Sequence, residues 1–414
     1  MYKKFIIKTI AIITAAVFIF STGFWLGINF FSARQFASRA NVSSLFELTT
    51  QMGSAQEDQQ PVSMETLEEV IDLIIENSIY EMGREEILRH AIDGILDGLG
   101  DRHAEYFSYE EYNQIMESYS GTMSGIGVVV TLDDMERVVI VNVIPETPAY
   151  QAGLEENDII NAVEGESILG LSLEKVVSMI RGEEGTSVNL TIYRPSDRER
   201  FEVDISRESF YVPNVFSEMA SENIGYIQYL GFQEMGAEKL EFEIGRLLDK
   251  GAEGLILDLR NNLGGVLTDA VAVADLFLEE GTIVSIEGRA AEEGDANIFQ
   301  AKKGGYTDIP LVVLINGFSA SASELAAGAL QENERAILVG ESSFGKGTVQ
   351  TIRELSDGSG FKFTTAKYLL PSGRSIEEVG VRPDIEVQMD FDAQEDLQLE
   401  AALDALAEMI DNHG

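Results

Sequence analysis

The stretch LVVLINGFSASASELAAGAL (311–330) contains a buried strand, a turn and the start of a helix. Leu311–Ile315 is a short apolar run, and Asn316-Gly317 after it is a turn signal, so the run is predicted to be a strand. Small and apolar residues from Ser321 onward favour a helix. A serine at such a strand–helix turn is presented on a sharp bend, where the N–H groups of the first helical turn favour negative charge.

The same alternation of strand and helix extends outward from this stretch. Strands are predicted at 224–230, 254–259, 311–315 and 336–339, helices near 234–249, 266–279 and 321–331, and further strands through Tyr368. An amphipathic helix at 394–411 closes the chain. Alternation of this kind predicts an α/β core in which helices cross between strands.

Two regions of different character precede the α/β core. Residues 61–118 repeat apolar side chains at spacings of three and four, which predicts helices. Residues 119–207 hold short β-rich runs at 126–132, 138–143, 187–193 and 200–205, with a small helix beginning near Leu173. We expect this second region to be a partly open β-barrel.

Composition excludes several classes of function. The 414 residues include 71 Asp and Glu against 29 Lys and Arg, a formal charge of −42, which argues against a nucleic-acid binder. Cysteine is absent, so thiolate metal sites and cysteine nucleophiles are excluded. The histidines at 90, 103 and 413 lie far apart in sequence, so a histidine-rich metal site is not expected, and a Ser-His-Asp triad would have to recruit one of them.

The first residues have the pattern of a membrane segment. Residues Thr9–Ala33 carry no charge and follow three lysines, and their length exceeds the roughly 20 residues needed to cross a bilayer. The lysines predict a cytoplasmic N-terminus. A cleaved signal peptide is the alternative, although the apolar run is long for one and Phe31 spoils a small-x-small cleavage site before Arg34. Residues 35–60 are polar and are interpreted as a juxtamembrane linker.

A lysine follows Ser321 at a distance of 25 residues. Lys346 lies in SFGKGTVQ (343–350), between two glycines. A lysine can act as the base for a serine when burial lowers its pKa. Spacing alone supports this pair only weakly, because Gly-Lys-Gly also occurs in surface loops and phosphate sites.

A glycine-containing loop begins the β-rich region. In SGIGVVV (124–130), backbone N–H groups can form a nest for a carboxylate, and the strand edge can accept an extended peptide. With IPETPA (144–149), AGL (152–154) and VEG (163–165), the region closely resembles a PDZ domain. The resemblance implies binding of polypeptide C-termini at Gly125, Ile126, Gly127 and Val128. The alternative is that the glycines only make a tight turn.

The α/β region resembles the C-terminal processing peptidases, also called tail-specific proteases. SASASE (319–324) and ESSFGKGTVQ (341–350) match two signatures of that family almost residue for residue. LDLRNNLGG (257–265), YLLPSG (368–373) and GVRPD (380–384) match others in the same order, with Leu263 in place of a proline. Similarity extends from about residue 60 to 390.

This resemblance implies a site and a fold. Ser321 is the expected nucleophile, Lys346 its general base and Gln350 the residue that orients the lysine, while the N–H groups of Gly264 and Ala322 form the oxyanion hole. The implied fold is a crotonase-like α/β protease core with a preceding PDZ domain, and no metal or organic cofactor is expected. Three further questions stay open. Glu332 either orders the site or is a solvated helix-end residue, Arg181 either senses bound peptide or faces solvent, and Ser319 and Ser323 are rival nucleophiles.

The sequence therefore predicts a membrane-anchored serine endopeptidase on the extracytoplasmic side of a bacterial cytoplasmic membrane. Its expected segments are 1–34 (cytoplasmic tip and transmembrane anchor), 35–60 (linker), 61–118 (helical region), 119–207 (PDZ domain), 208–390 (protease core) and 391–414 (C-terminal helix). Apolar helical faces at 61–118 and 394–411 suggest a homodimer. The rival functions are a non-catalytic PDZ scaffold and, more remotely, an acyl-CoA enzyme that shares the crotonase fold.

Overall fold

The computed structural model describes residues 62–133, 135–288, 297–389 and 395–413. The chain divides into two compact units. Among the described residues, the first contains 62–100, together with those of Gly127–Val177 and Asn189–Asp204. The second contains Asp101–Ile126, Ser178–Val188 and Ile205 onward.

The helices and strands follow one another in two series. The first comprises α1 (Met64–Asn77), α2 (Arg84–Leu99), β1 (Glu105–Phe107), α3 (Tyr109–Ser120), β2 (Thr122–Gly125), β3 (Val128–Leu132), β4 (Val138–Val143), α4 (Pro148–Gln151), β5 (Ile159–Val163), β6 (Glu166–Ser167), α5 (Leu173–Ile180), β7 (Ser187–Arg194), β8 (Glu199–Ser206) and β9 (Glu208–Tyr211). The second comprises β10 (Val215–Met219), β11 (Ile224–Tyr229), α6 (Gly236–Asp249), β12 (Gly254–Asp258), α7 (Leu267–Asp275), β13 (Thr282–Gly288), β14 (Asn297–Gln300), β15 (Leu311–Ile315), α8 (Ala322–Glu332), β16 (Ile337–Gly340), β17 (Thr348–Glu354), β18 (Gly360–Leu369), β19 (Ile385–Glu386) and α9 (Leu397–His413).

Helices α1 and α2 occupy the region predicted to be helical, but they bury little of their apolar surface. Ser63 begins α1 by accepting the N–H of Thr66, and Gly100 ends α2 in the left-handed conformation. In α1 only Ile71 is fully buried, while Leu73 and Ile74 are exposed. In α2, Ile95 is 68% exposed. The apolar spacing that predicts these helices therefore does not correspond to a buried face within the unit.

The β-rich region forms a six-stranded sheet in the order β3-β4-β5-β7-β8, with β6 paired to β5. Strands β3, β4, β7 and β8 match the four predicted runs to within two residues, α5 begins at Leu173 as expected, and β5 and β6 are additional to the predicted runs. Alternate side chains of β7, namely Val188, Leu190 and Ile192, are fully buried, which is the pattern of a sheet with one face in a core. Strand β3 lies at one edge of this sheet.

The α/β region is built on a six-stranded sheet in the order β10-β11-β12-β15-β16-β19. Strands β11, β12, β15 and β16 run parallel, and β10 is antiparallel at one end. All five residues of β12 and of β15 are buried. Continuous burial of this kind is typical of a parallel sheet covered on both faces.

Helices cover both faces of this parallel sheet. Leu255 and Leu257 of β12 belong to a core formed with α6, α7 and α8. Ile256 points the other way and packs with Ala402 and Leu406 of α9. Because successive side chains of a strand point to opposite faces, the uninterrupted apolar run fills both cores. The C-terminal helix thus forms one of three layers.

A second sheet in the same unit has the order β1-β18-β13-β14, with β17 also paired to β18. Strand β1 pairs with β18 between Glu105 and Lys362. Residues 101–126 therefore belong to the unit of the protease core, whereas the predicted segments assign them to the regions before it. The sequence gives no signal for β1, because a three-residue strand is too short to show a period.

The predicted membrane segment, the linker and the side chain of His413 lie outside the described residues. Within the described ranges, no helix combines the length and apolarity needed to span a bilayer.

Candidate active site

Three loops meet at the carboxyl edge of the parallel sheet. They follow β12, β15 and β16, which are neighbouring parallel strands. Gly264 lies in the first loop, Ser321 ends the second and Lys346 lies in the third. Because the carboxyl ends of parallel strands lie along one edge, three segments far apart in sequence converge there, where α/β sheets place their sites.

Ser321 has a strained backbone. Its φ of 56° and ψ of −113° are unusual for a residue with a side chain, and such conformations cost on the order of 1–3 kcal/mol. Ser321 immediately precedes α8, whose first residue is Ala322. The N–H of a first helical residue comes before the intrahelical ladder begins, so it is available to an external acceptor. A serine hydroxyl on a strained strand-to-helix turn is the arrangement of a nucleophile elbow.

Ser319 and Ser323, the rival serines, are committed to structural hydrogen bonds. Both are 0% exposed. The Ser319 hydroxyl donates to the Leu259 carbonyl at 2.8 Å and accepts the N–H of Asn316 at 2.9 Å. The Ser323 hydroxyl donates to the Asn262 carbonyl at 2.7 Å. Ser321 is the serine of this motif that remains partly exposed.

The carboxylate of Glu324 connects the serine loop to the lysine loop. It is 0% exposed. One oxygen accepts the backbone N–H groups of Ser321 at 2.7 Å and Lys346 at 2.9 Å. The other accepts the N–H of Gly345 at 2.7 Å and the Ser343 hydroxyl at 2.6 Å. Four donors around one carboxylate fix both loops relative to α8.

Lys346 is in an environment that weakens its hold on a proton. Burial, assisted by the nearby positive charge of Lys362, lowers the pKa of Lys346 to about 8. The carboxylates of Glu324 and Glu377 oppose this shift. A substantial fraction of Lys346 is therefore neutral near pH 8.

Tyr368 lies between the two predicted catalytic residues. Its hydroxyl donates to the Lys346 carbonyl and interacts with the Ser321 side chain. Burial raises the pKa of Tyr368 well above its usual value, so the hydroxyl keeps its proton. Among the described residues, no hydrogen bond joins Ser321 Oγ directly to Lys346 Nζ, and the Glu324 carboxylate and Tyr368 hydroxyl are the groups that link the two residues.

Gly264 packs directly against the serine. It has a φ of +99°, and a Cβ there would lie 2.9 Å from the Ser321 Cβ and 2.9 Å from the Ala322 nitrogen. Only glycine allows this approach. The Gly264 N–H donates to Asn262 Oδ1 at 2.9 Å. The predicted oxyanion donor is thus beside the serine but already has an acceptor.

Gln350 and Glu332 have partners other than Lys346. Gln350 lies in β17, not in a helix, and its amide donates to the Thr348 hydroxyl at 2.8 Å. Orientation of the lysine by Gln350 therefore stays a prediction. Glu332 accepts the N–H of Ser372 at 2.8 Å and pairs with Arg374, so it fastens a turn and is not a freely solvated residue, while its ordering of the site stays a prediction.

The predicted peptide-binding residues divide between two strands. Gly125 ends β2, which pairs with β9, and Val128 begins the edge strand β3. Ile126 is buried. Gly127 has a φ of +87°, and a Cβ there would lie 2.2 Å from Thr147. Position 127 therefore requires glycine because the Thr147 side chain packs against it, in addition to any role of Gly127 in a carboxylate nest.

Arg181 is not an isolated solvent-facing arginine. It lies in the second unit, where its guanidinium approaches the Met123 sulfur at 3.5 Å and interacts with the charge of Glu117. Burial raises the pKa of Glu117, and the charge of Arg181 opposes that shift.

Sequence reasoning missed the roles of three residues: Glu324, Tyr368 and Glu377. Glu324 belongs to the motif that contains the serine, and its position three residues after Ser321 is that of a capping-box acid, which is a usable signal. Tyr368 and Glu377 give no comparable signal. In the described ranges, no group of three or more acidic or histidine side chains is placed to hold a metal ion.

These features define a class, a serine hydrolase whose core is a parallel α/β sheet and whose serine lies on a strained turn. Residues 223–387 match peptidase family S41, and residues 139–194 match a PDZ domain. The carboxy-terminal-processing protease of Bartonella bacilliformis is 39% identical over 73% of this chain and 70% of its own length. The carboxy-terminal processing protease of Bacillus subtilis is 37% identical over 74% of this chain and 65% of its own. A solved photosystem II D1 C-terminal processing protease is 30% identical, with a TM-score of 0.46 over 77% of this chain and 85% of that one.

The chain belongs to the carboxy-terminal processing proteases of peptidase family S41 and is a serine-type peptidase with a PDZ domain. This membership removes the support for an acyl-CoA enzyme and for a non-catalytic scaffold.

Proposed function

We propose that the protein is an endopeptidase that uses Ser321 as its nucleophile and Lys346 as its general base. The single observation that carries this proposal is the Glu324 carboxylate, which accepts backbone N–H groups from both residues. One buried group thereby fixes the two chain segments whose side chains must react together. The lowered pKa of Lys346 supplies a base that is partly neutral near physiological pH.

The chemistry proceeds in two halves. Neutral Lys346 Nζ takes the proton of Ser321 Oγ while Oγ attacks the peptide carbonyl, and Lys346 then gives that proton to the leaving amine. Water hydrolyses the resulting ester with the same base. The Ala322 N–H and the Gly264 N–H, after exchanging Asn262 Oδ1 for the substrate oxygen, stabilise the oxyanion.

Casein turnover by the detergent-solubilised full chain tests the two residues. Ser321→Ala and Lys346→Ala should each lose several orders of magnitude in kcat. Ser342→Ala and Lys303→Ala change exposed residues of the same types and should retain wild-type rates. Undiminished turnover by either site variant removes that residue from the mechanism.

We propose that the PDZ domain binds the C-terminus of the polypeptide substrate. Strand β3 lies at a sheet edge, where an added strand can pair, and the 124–128 loop supplies N–H groups for a carboxylate. A peptide with a free C-terminus should bind, and its amidated form should not. Gly127→Ala should weaken binding, whereas Gly165→Ala, also at positive φ but with open space around its Cβ, should not. Equal binding of the free and amidated peptides contradicts the proposal.

A sensing role for Arg181 is part of the same proposal. Its charge faces Glu117, a residue of α3 that precedes the peptide-binding loop. Arg181→Met should reduce stimulation of casein cleavage by an added C-terminal peptide and leave the unstimulated rate unchanged. Equal stimulation in the variant and the wild type assigns Arg181 to packing alone.

We propose a single membrane anchor at residues 9–33, with the catalytic part on the extracytoplasmic side of the cytoplasmic membrane. The uncharged run after three lysines supports it. The full chain should resist extraction by carbonate and be digested by protease added to intact spheroplasts. Release by carbonate, with a shortened N-terminus, supports the cleaved signal peptide instead.

We also propose a homodimer formed through α1 and α2. Exposed apolar side chains on these helices, among them Leu73 at 54% and Ile95 at 68%, support a partner surface. Light scattering of the full chain should give twice the protomer mass. Leu73→Glu with Ile95→Glu should give monomers, whereas Leu169→Glu, in the PDZ domain and 77% exposed, should not.

A further inference from the structure

The segment that follows α2 is attached to the lysine-bearing part of the site through two side chains. Asp101 Oδ2 accepts the N–H of Thr364 at 2.7 Å, and its Oδ1 accepts the Thr364 hydroxyl at 3.0 Å. Thr364 of β18 is the cross-strand partner of Gln350. Asp101 therefore fixes the strand that pairs with β17, the strand that begins two residues after Lys346.

Arg102 is attached on the other side of the lysine. Its guanidinium pairs with the carboxylate of Glu377 and, at 3.3 Å, with Glu378. The second oxygen of Glu377 accepts the N–H of Gly347, the residue after Lys346, at 2.7 Å. Glu377 is only 24% exposed. An arginine outside the predicted site thus holds the carboxylate that holds the lysine backbone.

Glu377 also acts on the charge of Lys346. Its carboxylate favours the protonated lysine and opposes the effect of burial. A paired guanidinium offsets part of that negative charge. Arg102 therefore acts in two ways through one partner, because it fixes the carboxylate and limits how strongly this carboxylate stabilises the lysine proton.

We propose that Asp101 and Arg102 are positioning residues for Lys346, and that Arg102 acts through Glu377. This inference rests on the proposed role of Lys346 as the base. The segment 101–102 touches neither Ser321 nor any reacting atom, so its effect is on the placement and charge of the lysine.

The other charged groups around Lys346 do not account for this effect. Glu324 of α8 and Lys362 of β18 act on the lysine directly, and Tyr368 of β18 keeps its proton because burial raises its pKa. His103, which accepts a hydrogen bond from Arg102 Nε at 3.3 Å, has a pKa lowered mainly by burial. His103 is therefore neutral above about pH 6.5 and does not titrate where Lys346 does.

The test is the pH dependence of kcat and KM for casein cleavage by the full chain from pH 6 to 10. The acid limb of the profile is the rise of kcat with pH, and its midpoint reports the pKa of Lys346. Arg102→Gln should move this midpoint to a higher pH by about half a unit and lower kcat at pH 7 about threefold or more, with KM unchanged. Arg102→Lys keeps the charge and should restore the limb. Glu377→Gln keeps an acceptor for Gly347 and should move the limb downward.

The double variant identifies the route. In the Glu377→Gln background, Arg102→Gln should no longer move the acid limb, because the carboxylate through which it acts is gone. Asp101→Ala should lower kcat about tenfold and leave the limb in place. Arg246→Gln removes a similarly exposed arginine that pairs with Glu243 and should change nothing.

Each other outcome overturns the inference. A wild-type pH profile for Arg102→Gln contradicts the inference. So does a shift of the midpoint by Arg102→Gln that is equally large in the wild-type and the Glu377→Gln backgrounds. Should Arg102→Gln fail to fold, the Arg102→Lys and Glu377→Gln profiles still decide, because no movement of the limb in Glu377→Gln contradicts the route. Failure of the proposed base is separate, since Lys346→Ala would then retain activity.

Discussion

Glu324 Oε2 lies 2.9 Å from the backbone nitrogen of Lys346. The glutamate is on the first turn of α8 and the lysine is on a loop after β16. The hydrogen bond between them is shielded from solvent, because Glu324 is 0% exposed. The main chain of the lysine is thus positioned by the helix that begins at the serine, which makes the geometry of the two loops depend on one side chain.

Replacement of Glu324 by Gln should lower kcat at least a hundredfold. A glutamine amide turns one acceptor into a donor, so at least one of the four donors around this position faces another donor and loses its partner. An unpaired buried donor costs about 1–3 kcal/mol, so the melting temperature should fall as well. Glu279→Gln, at an exposed pair with Lys303, is the control for kcat and for circular-dichroism melting. Wild-type kcat in Glu324→Gln would show that the linkage is dispensable.

Activity should rise with pH to a plateau, with a midpoint near pH 8. The competent form of Lys346 is neutral, and burial lowers its pKa to about 8 from the usual 10.5. Below that midpoint the protonated lysine cannot accept the serine proton, so the rate falls as pH decreases. Initial rates with a fluorogenic peptide measure this rise of the rate with pH. A rate that stays the same from pH 6 to pH 10 is incompatible with the prediction.

Ser321 and Ser323 of the motif should separate by phenotype. Ser321→Ala should abolish cleavage with little change in melting temperature, because Ser321 is a partly exposed residue. Ser323→Ala should keep cleavage but lose about 1 kcal/mol of stability, since a buried hydrogen bond to Asn262 is removed. Paired assays of casein cleavage and urea unfolding distinguish the two. Loss of activity in Ser323→Ala at unchanged structure would question the assignment of Ser321.

A methyl group at Gly264 should damage catalysis through crowding. In Gly264→Ala the new Cβ would meet the Ala320 oxygen at 2.6 Å and the Ala322 nitrogen at 2.9 Å. Both contacts lie at the predicted oxyanion site, so kcat should fall a hundredfold or more. Gly305→Ala, where nothing lies within 4 Å, is the matched control. Equal kcat for these two variants would exclude Gly264 from the oxyanion hole.

The pair between Arg260 and Asp258 should matter for stability. Arg260 is 8% exposed and bonds Asp258 and also Asp396, next to α9. Arg260→Met leaves the buried Asp258 carboxylate without its cationic partner, so the free energy of unfolding should fall by about 3–5 kcal/mol. Arg246→Met, at an exposed pair, should change it by less than about 1 kcal/mol. Denaturant unfolding compares the two, and equal effects would refute the role.

Much of the fold was predictable because its periods are strong. Leu311–Ile315 and Val138–Val143 have the predicted bounds, since apolar runs flanked by turn residues leave little ambiguity. Gln350 matches a family position, but its place in β17 and its hydrogen bond to Thr348 depend on how that strand pairs with β18. The sequence also did not show that many of the apolar side chains of α1 and α2 are exposed, since the spacing of apolar residues predicts a helix but does not specify what covers its apolar face.

By itself, the sequence determined the order of strands and helices, the turn that carries Ser321 and the position of Lys346 between two glycines. It also determined the pair Gly264-Gly265, whose backbone must lie close to other backbone. These are local properties of backbone conformation and side-chain polarity. Only the tertiary structure decided that Glu324 bridges the serine and lysine loops, that Tyr368 lies between them and that Asp101 and Arg102, from far upstream, bind Thr364 and Glu377. Such contacts depend on which strands pair and in what register, and these are settled by packing among residues that lie from 22 positions apart, as for Glu324 and Lys346, to 275 apart, as for Arg102 and Glu377.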